Sequence, residues 1–288
     1  MRVALSADME GVSQLDDWRA VLAFDPAYWR AGRAQMEDEV AAAARGLLTG
    51  GADEVVVFDN HASGNPINVR PESLPEGARI ETWHMFDLRE RGVEALLQVG
   101  YHSRAELDAF FPHTYAPELV LHVDGEPISE SHGRAWAADV PLLGICGNDV
   151  HARTLGSLDG VPYLVTQHTT STVDASPNAS LDEIESFAEE VARAGGVPVR
   201  PPEHARFQAF VRGESFSALD IERWQDARQP IADAMAAAVA PWLPYLTTFD
   251  LTSEDAMAAV QDEPLVREGR NAIEAWLAGA GRASSSAP

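Results

Sequence analysis

Val3-Ala-Leu-Ser-Ala-Asp-Met-Glu-Gly11 is the stretch that decides the fold. A short uncharged run that ends in two acids and a glycine reads as a buried strand carrying carboxylates at its tip. Working outward, residues 28–48 are an Ala-rich helical stretch stopped by Gly50-Gly51. Residues 54–58 form a second β-branched run, and 79–83, 95–99, 140–146 and 163–166 read as further strands. Strands alternating with helices predict an α/β fold with a mostly parallel sheet flanked by helices. Residues 119–123, then Asp124-Gly125 and Pro127-Ile128, predict a hairpin and make the sheet mixed. Ser180, with Glu183 three residues on, predicts a capped helix that ends at Gly195-Gly196.

Pro198, Pro201 and Pro202 mark a change of character. The reading places a catalytic α/β domain at 1–198, a smaller helix-rich C-terminal lobe at 199–281 and a flexible tail at 282–288. Within the lobe, 207–211 reads as a strand and 221–239, 253–260 and 264–278 as helices. Trp224, Trp242 and Trp276 give these helices more apolar surface than a small lobe buries alone, which predicts subunit contacts in a closed oligomer.

The 288 residues are 45% hydrophobic, enough for a core. The formal net charge is −24, which disfavours nucleic acid and anionic membranes as partners. All 21 basic residues are Arg, which excludes a Schiff-base lysine, a P-loop lysine and a Ser–Lys pair. The single cysteine, Cys146, rules out an internal disulfide and sits in an apolar run as a core thiol. No stretch has the length of a membrane span and none reads as a signal region, so a cytoplasmic protein is expected.

In an open α/β sheet the chemistry lies beyond the carboxyl ends of the strands. The first strand is followed by Asp8 and Glu10, the second by Asp59-Asn-His61, and the run 95–99 by Gly100-Tyr-His102. The hairpin is followed by Ser129-Glu130-Ser-His132. Asp8, Glu10, His61, His102 and Glu130 together offer the oxygen and nitrogen donors that zinc accepts. They exceed the need of one catalytic zinc with an open position and suit two if a carboxylate bridges. Asp8, at the strand tip, is the natural bridge. Taken singly, Asp and His at strand ends are also ordinary turn and cap residues.

Ser6-Ala-Asp8-Met-Glu10-Gly11 resembles the opening S-x-D-M-E-G of the D-aminopeptidase family of zinc peptidases. Asp59-Asn-His61 is similar to its D-x-H, and Gly100-Tyr-His-Ser-Arg-Ala105 to its G-Y-H-A-R-A. Residues 139–149 resemble D-V-P-V, a strand and G-D-D, and these motifs keep their order over roughly 1–150. The resemblance implies two zincs, with Asp8 bridging, Glu10 and His61 completing one and His102 and Glu130 the other. It implies that His113 is the catalytic histidine; by position, His113 lies beyond a helical segment and Pro112, in a loop free to approach a substrate. It further implies short-peptide substrates, often D-alanine peptides, and assembly into a large homo-oligomeric ring. Read on its own chemistry, His113 either protonates the leaving amine, stabilises an oxyanion, or is a plain loop residue.

Residues 165–167 read Val-Thr-Gln, and Ser171 follows, where the family has Val-Lys-Gln and then Arg. A positive charge at the site is then either missing or supplied by an Arg elsewhere. Other side chains receive plainer readings. His84 and His122 are structural, His151 and His204 are on the surface, and His168 is open. His132 either supports the site or faces solvent. Asp59 orients His61 or serves a turn. Phe86, Phe110, Phe111 and Tyr115 pack in the core or wall a pocket. Arg104 meets a substrate carboxylate, Glu106 or Glu118. Two other functions share the donor set: a metal-dependent phosphoesterase, and a non-catalytic metal-binding assembly protein.

Overall fold

A computed structural model describes residues 1–61, 68–82, 88–211, 213–244, 255 and 259–283. His84, Phe86, most of the helix expected at 253–260 and residues 284–288 lie outside them. The first sheet contains β1 (Arg2–Ala7), β2 (Glu54–Asp59), β3 (Ala78–Ile80), β4 (Ala95–Tyr101), β7 (Leu142–Asn148), β8 (Tyr163–Thr169) and β9 (Ala175–Pro177). Their spatial order is β3-β2-β1-β4-β7-β8-β9, parallel throughout except that β9 runs antiparallel to β8. Every residue of β4 and β7 is buried, as expected of central parallel strands covered on both faces.

The second sheet is antiparallel: β5 (Leu119–Val123), β6 (Glu126–Ile128), β10 (Ala205–Val211) and β11 (Glu214–Ile221), in the order β11-β10-β5-β6. The predicted hairpin is therefore real but sits in this sheet; β9 is what makes the first sheet mixed. The chain on both sides of residue 198 builds the second sheet, since β10 pairs with β5. Ile221 ends a strand where the sequence suggests the start of a helix.

Helix α1 (Pro26–Thr49) has Pro at its first turn and stops at Gly50, with Gly51 at φ +108°. Helix α4 (Leu181–Ala194) begins in the predicted capping box, where Ser180 N–H donates to Glu183 Oε2 at 2.8 Å. These two helices pack together on one face of the first sheet. Helix α2 (Glu130–Ala138) lies between the sheets: Ala135 and Ala138 join the core under the first, while Trp136 joins the core under the second. Helix α3 (Asp149–Ala152) follows β7 directly. Helix α5 (Arg228–Val239) covers the second sheet. Helix α6 (Pro264–Ala283) returns to the first core through Val266, Ile273 and Leu277. Trp224 is buried against Trp136 and Phe207, and Trp276 packs on Phe111. Both of these tryptophans, expected at subunit contacts, have partners inside the chain.

Candidate metal centre

Strands β2, β1 and β4 are adjacent and parallel, so their carboxyl ends stop together. Ala7 stands opposite both Asp59 and Val99, and the next residues on each strand are the predicted donors. The tips are stitched by backbone: Asp8 N–H donates to Val99 O at 2.9 Å, Gly11 N–H to Gly100 O at 2.8 Å, and Asn60 N–H to Ala7 O at 2.9 Å. Only glycine fits at this seam. A Cβ on Gly11 would lie 2.0 Å from Tyr101 O, and one on Gly100 2.0 Å from Asp8 O.

Glu130 arrives by another route. It is the first residue of α2, delivered from the second sheet rather than from a neighbouring strand of the first. His113 comes from a segment of turns between β4 and β5, where a helical segment was expected. In that segment Glu106, Phe111, Tyr115 and Glu118 all have positive φ, a conformation L-residues rarely adopt.

All six predicted residues meet. His61 Nδ1 lies 3.4 Å from Asp8 Oδ1 and 3.3 Å from Glu10 Oε1. His102 Nε2 lies 3.6 Å from Asp8 Oδ2 and 3.8 Å from Glu130 Oε1. His113 Nε2 lies 3.8 Å from Glu10 Oε1 and 3.9 Å from Glu130 Oε1. Asp8 thus turns one oxygen toward each side. The five predicted ligands are buried, and His113 alone retains a partly open side chain, 13% exposed.

The imidazoles show what the centre can hold. His61 Nε2–H donates to Val21 O at 2.6 Å, His102 Nδ1–H to Ser103 O at 2.9 Å, and His113 Nδ1–H to Phe111 O at 3.0 Å. A carbonyl only accepts, so each ring has committed its proton there. The remaining nitrogens face carboxylates. Either each carries a second proton or a cation lies between. The His102 and His113 rings stack with centroids 4.0 Å apart and planes 10° apart, an unfavourable arrangement for two imidazolium ions. His102 Nε2 and Glu10 Oε2 are buried without a hydrogen-bond partner. Such orphans are costly unless something binds them.

Electrostatics agree. Burial pushes the Asp8 carboxyl up, but its hydrogen bond with His61 and the charge of His102 outweigh it and hold Asp8 far below the usual carboxylate range. Burial and the Asp8 charge push Glu10 up. Burial opposes charging of His61, yet the facing carboxylates raise it well above the ordinary imidazole value. Burial and His102 lower His113. Neighbouring groups driven in opposite directions mark crowded like charge, which a dication would relieve. The donor set and the orphaned atoms therefore fit zinc, in two groups sharing Asp8: Asp8, Glu10 and His61, and Asp8, His102 and Glu130. Glu10, His102 and His113 also lie close enough to form a third group.

A positive charge is present after all. Arg134 Nη2 donates to Glu130 Oε2 at 2.9 Å, and its guanidinium lies over the Tyr115 ring, 5.4 Å from the centroid. The sequence reading did not single it out, although Glu130 and Arg134 stand at the helical i,i+4 spacing that would have shown it. Tyr115 N–H donates to the other Glu130 oxygen at 2.6 Å. Where the family motif has Lys, Thr166 instead bonds Gly11 O at 2.6 Å, so it fastens the strand-tip loop. Ser171 bonds Asp174 in a turn.

Other expectations are corrected. His151 is fully buried, not on the surface: its Nε2 lies 2.8 Å from Ser131 Oγ, a partner 20 residues away. His132 does not face solvent; its Nε2–H donates to Leu155 O at 2.7 Å, and burial lowers its pKa to about 4. Asp59 accepts from Asn68 and Val69 backbone N–H at 2.9 and 3.1 Å, so it fastens the chain at those two residues. Cys146 is buried as expected. Phe110 and Phe111 are core residues.

Comparison with known proteins follows this geometry. The family model described as D-aminopeptidase matches residues 1–218. A solved structure of a zinc-dependent D-aminopeptidase from Bacillus subtilis, described as a self-compartmentalizing protease, aligns with a TM-score of 0.70. That alignment is 21% identical and covers 83% of this chain and 98% of that one. Among curated proteins, none matches the chain.

Proposed function

The chain belongs to the D-aminopeptidase family, and on that premise we propose that it is a dinuclear zinc aminopeptidase releasing N-terminal residues, D-residues among them, from short peptides. One observation carries the reading. Three buried carboxylates face three imidazole nitrogens whose partner nitrogens already donate hydrogen bonds to carbonyls. Arg134 offsets one of the three negative charges, and bound dications would more than offset the other two. Zinc bound there would polarise the scissile carbonyl and bring the acidity of an attacking water near neutrality.

The chain's own groups do the remainder. Asp8, Glu10 and His61 would hold one ion, and Asp8, His102 and Glu130 the other. Arg134 and the Tyr115 N–H fix both Glu130 oxygens, so that this carboxylate enters the site in one orientation. His113, the most open of the six, presents Nε2 toward the space above the carboxylates. There Nε2, bare in the Nδ1–H form, takes the proton that an attacking water gives up, and the imidazolium so formed hands it to the departing amine or donates a hydrogen bond as charge develops on the carbonyl oxygen. The protein's net charge of −24 draws in a substrate's free ammonium.

Assembly into a closed homo-oligomer is part of the proposal, supported by the description of the Bacillus subtilis structure as self-compartmentalizing. So is a cytoplasmic location, supported by a single buried cysteine; among the described residues no helix is long and apolar enough to cross a membrane. The test is elemental analysis of protein purified without chelator, followed by turnover on D- and L-aminoacyl amides, dipeptides and phosphate monoesters. About two zinc ions per chain with aminopeptidase turnover are expected. Phosphatase turnover without peptidase turnover would overturn the reaction class, and fewer than two ions the dinuclear centre.

A further inference from the structure

Helix α6 lies wholly beyond residue 218, where the family match stops, yet it reaches the loop that carries His113. Its Val266, Ile273 and Leu277 are buried in the first core, which anchors the helix. From that anchor Trp276 meets Phe111, ring centroids 5.4 Å apart and planes at 81°. One residue on, Leu277 O accepts from Thr172 Oγ1 at 3.3 Å, and Thr172 O accepts from Phe111 N–H at 3.0 Å. Phe111 is thus gripped by its ring and, through Thr172, by its backbone.

Phe111 needs the grip. Its φ is +42°, in the left-handed region that L-residues rarely adopt and that persists only where surroundings impose it. Its carbonyl is the acceptor that takes the His113 Nδ1 proton, and its ring stands edge-on to the His113 ring at 5.5 Å. If Phe111 relaxes to negative φ, the carbonyl swings away and His113 loses both its tautomer and its aim. The ligands of the centre need no such help, since strand tips and α2 hold them.

We propose that Trp276 of α6 is a positioning residue, which holds Phe111 in its left-handed conformation and thereby fixes the tautomer and direction of His113. The inference rests on the catalytic reading of His113. The chain beyond the family match then governs the chemical step without touching substrate or metal.

The experiment compares Trp276→Ala, Trp276→Phe, Thr172→Val and His113→Ala in the full chain. It measures kcat, KM, zinc content and the ¹⁵N imidazole resonances of His113. Trp276→Ala should lower kcat by about 10–100-fold, the cost of a small misplacement, with KM and zinc content unchanged. Its His113 resonances should move from the Nδ1–H tautomer toward an average of both. Trp276→Phe should restore most of kcat. Thr172→Val removes one hydrogen bond without opening a cavity, and should show the same split in milder form should Trp276→Ala fail to fold. Wild-type kcat and wild-type His113 resonances in Trp276→Ala and Thr172→Val would overturn the proposal. So would activity and zinc lost together and not rescued by Phe. If His113→Ala is fully active while Trp276→Ala still shifts the resonances, the catalytic reading fails and the positioning stands.

Discussion

Asp8, Glu10 and His61 on one side of the centre, and His102, Glu130 and His113 on the other, are built by different means. The first group rises from adjacent strand tips bonded backbone to backbone, and all its members precede residue 62. The second gathers one strand tip, one helix start and one strained loop, and it draws on the second sheet, α2 and, through the Trp276–Phe111 contact, α6. The comparison teaches that local parallel pairing suffices to juxtapose donor side chains, whereas placing Glu130 and His113 draws on distant parts of the chain.

The largest expected effect removes Asp8, which the two proposed ion positions share. Asp8→Ala should abolish turnover and release both ions, as read by elemental analysis; loss of a single ion would show that the two groups do not depend on one carboxylate. His113→Ala comes next. It should keep its zinc while kcat falls by about 10²–10⁴, with KM far less changed. Zinc loss in that variant would make His113 a ligand and merge it with the strand-tip groups.

A smaller effect should separate the two ion positions. Arg134→Met frees one oxygen of Glu130, so zinc affinity should drop about 10–100-fold at one position and stay unchanged at the other. Competition titration with a chelator checks this, and an equal loss at both would erase the proposed division.

The smallest effect on turnover, within about twofold, belongs to the support of the first group. Glu39 in α1 is fully buried and accepts from Ser13 N–H at 2.6 Å, and burial raises its pKa from 4.5 to about 7. The folded chain therefore holds this proton more tightly than the unfolded one. The stabilisation is fully present below pH 4.5 and is lost as pH rises toward 7. The loss totals about 3 kcal/mol, and Glu39→Gln should remove that slope. Urea unfolding of both proteins at pH 5 and pH 8 measures it; parallel curves would place the Glu39 proton elsewhere.

Much of the first group was legible because its signals are local. An apolar run ending in acid, and another ending in Asp-x-His, predict strand tips, and parallel pairing does the rest. Glu130 was found as a residue after a hairpin, but its neighbours in the sequence do not reveal a second sheet. Strand β11 escaped notice because it is an edge strand whose side chains are mostly exposed, leaving little apolar alternation to read. His151 and His132 looked like ordinary polar residues; what buries them is contact with Ser131 and Leu155, which no short window contains. Arg134 was the one omission with a local signal, an acid and a base four residues apart on a helix.

The glycine seam at Gly11 and Gly100 also sets the gauge of the centre. The peptide planes of the turn after β1 and of β4 touch there with no room for a methyl group. The gap between Asp8 and His102 is therefore a property of the main chain, as rigid as the sheet itself. A change in the radius of a bound cation cannot be absorbed by spreading these strands. It must be taken up by the longer side chains of Glu10 and Glu130. The centre behaves as a caliper with one fixed jaw, and its tolerance for a foreign ion is set on the other.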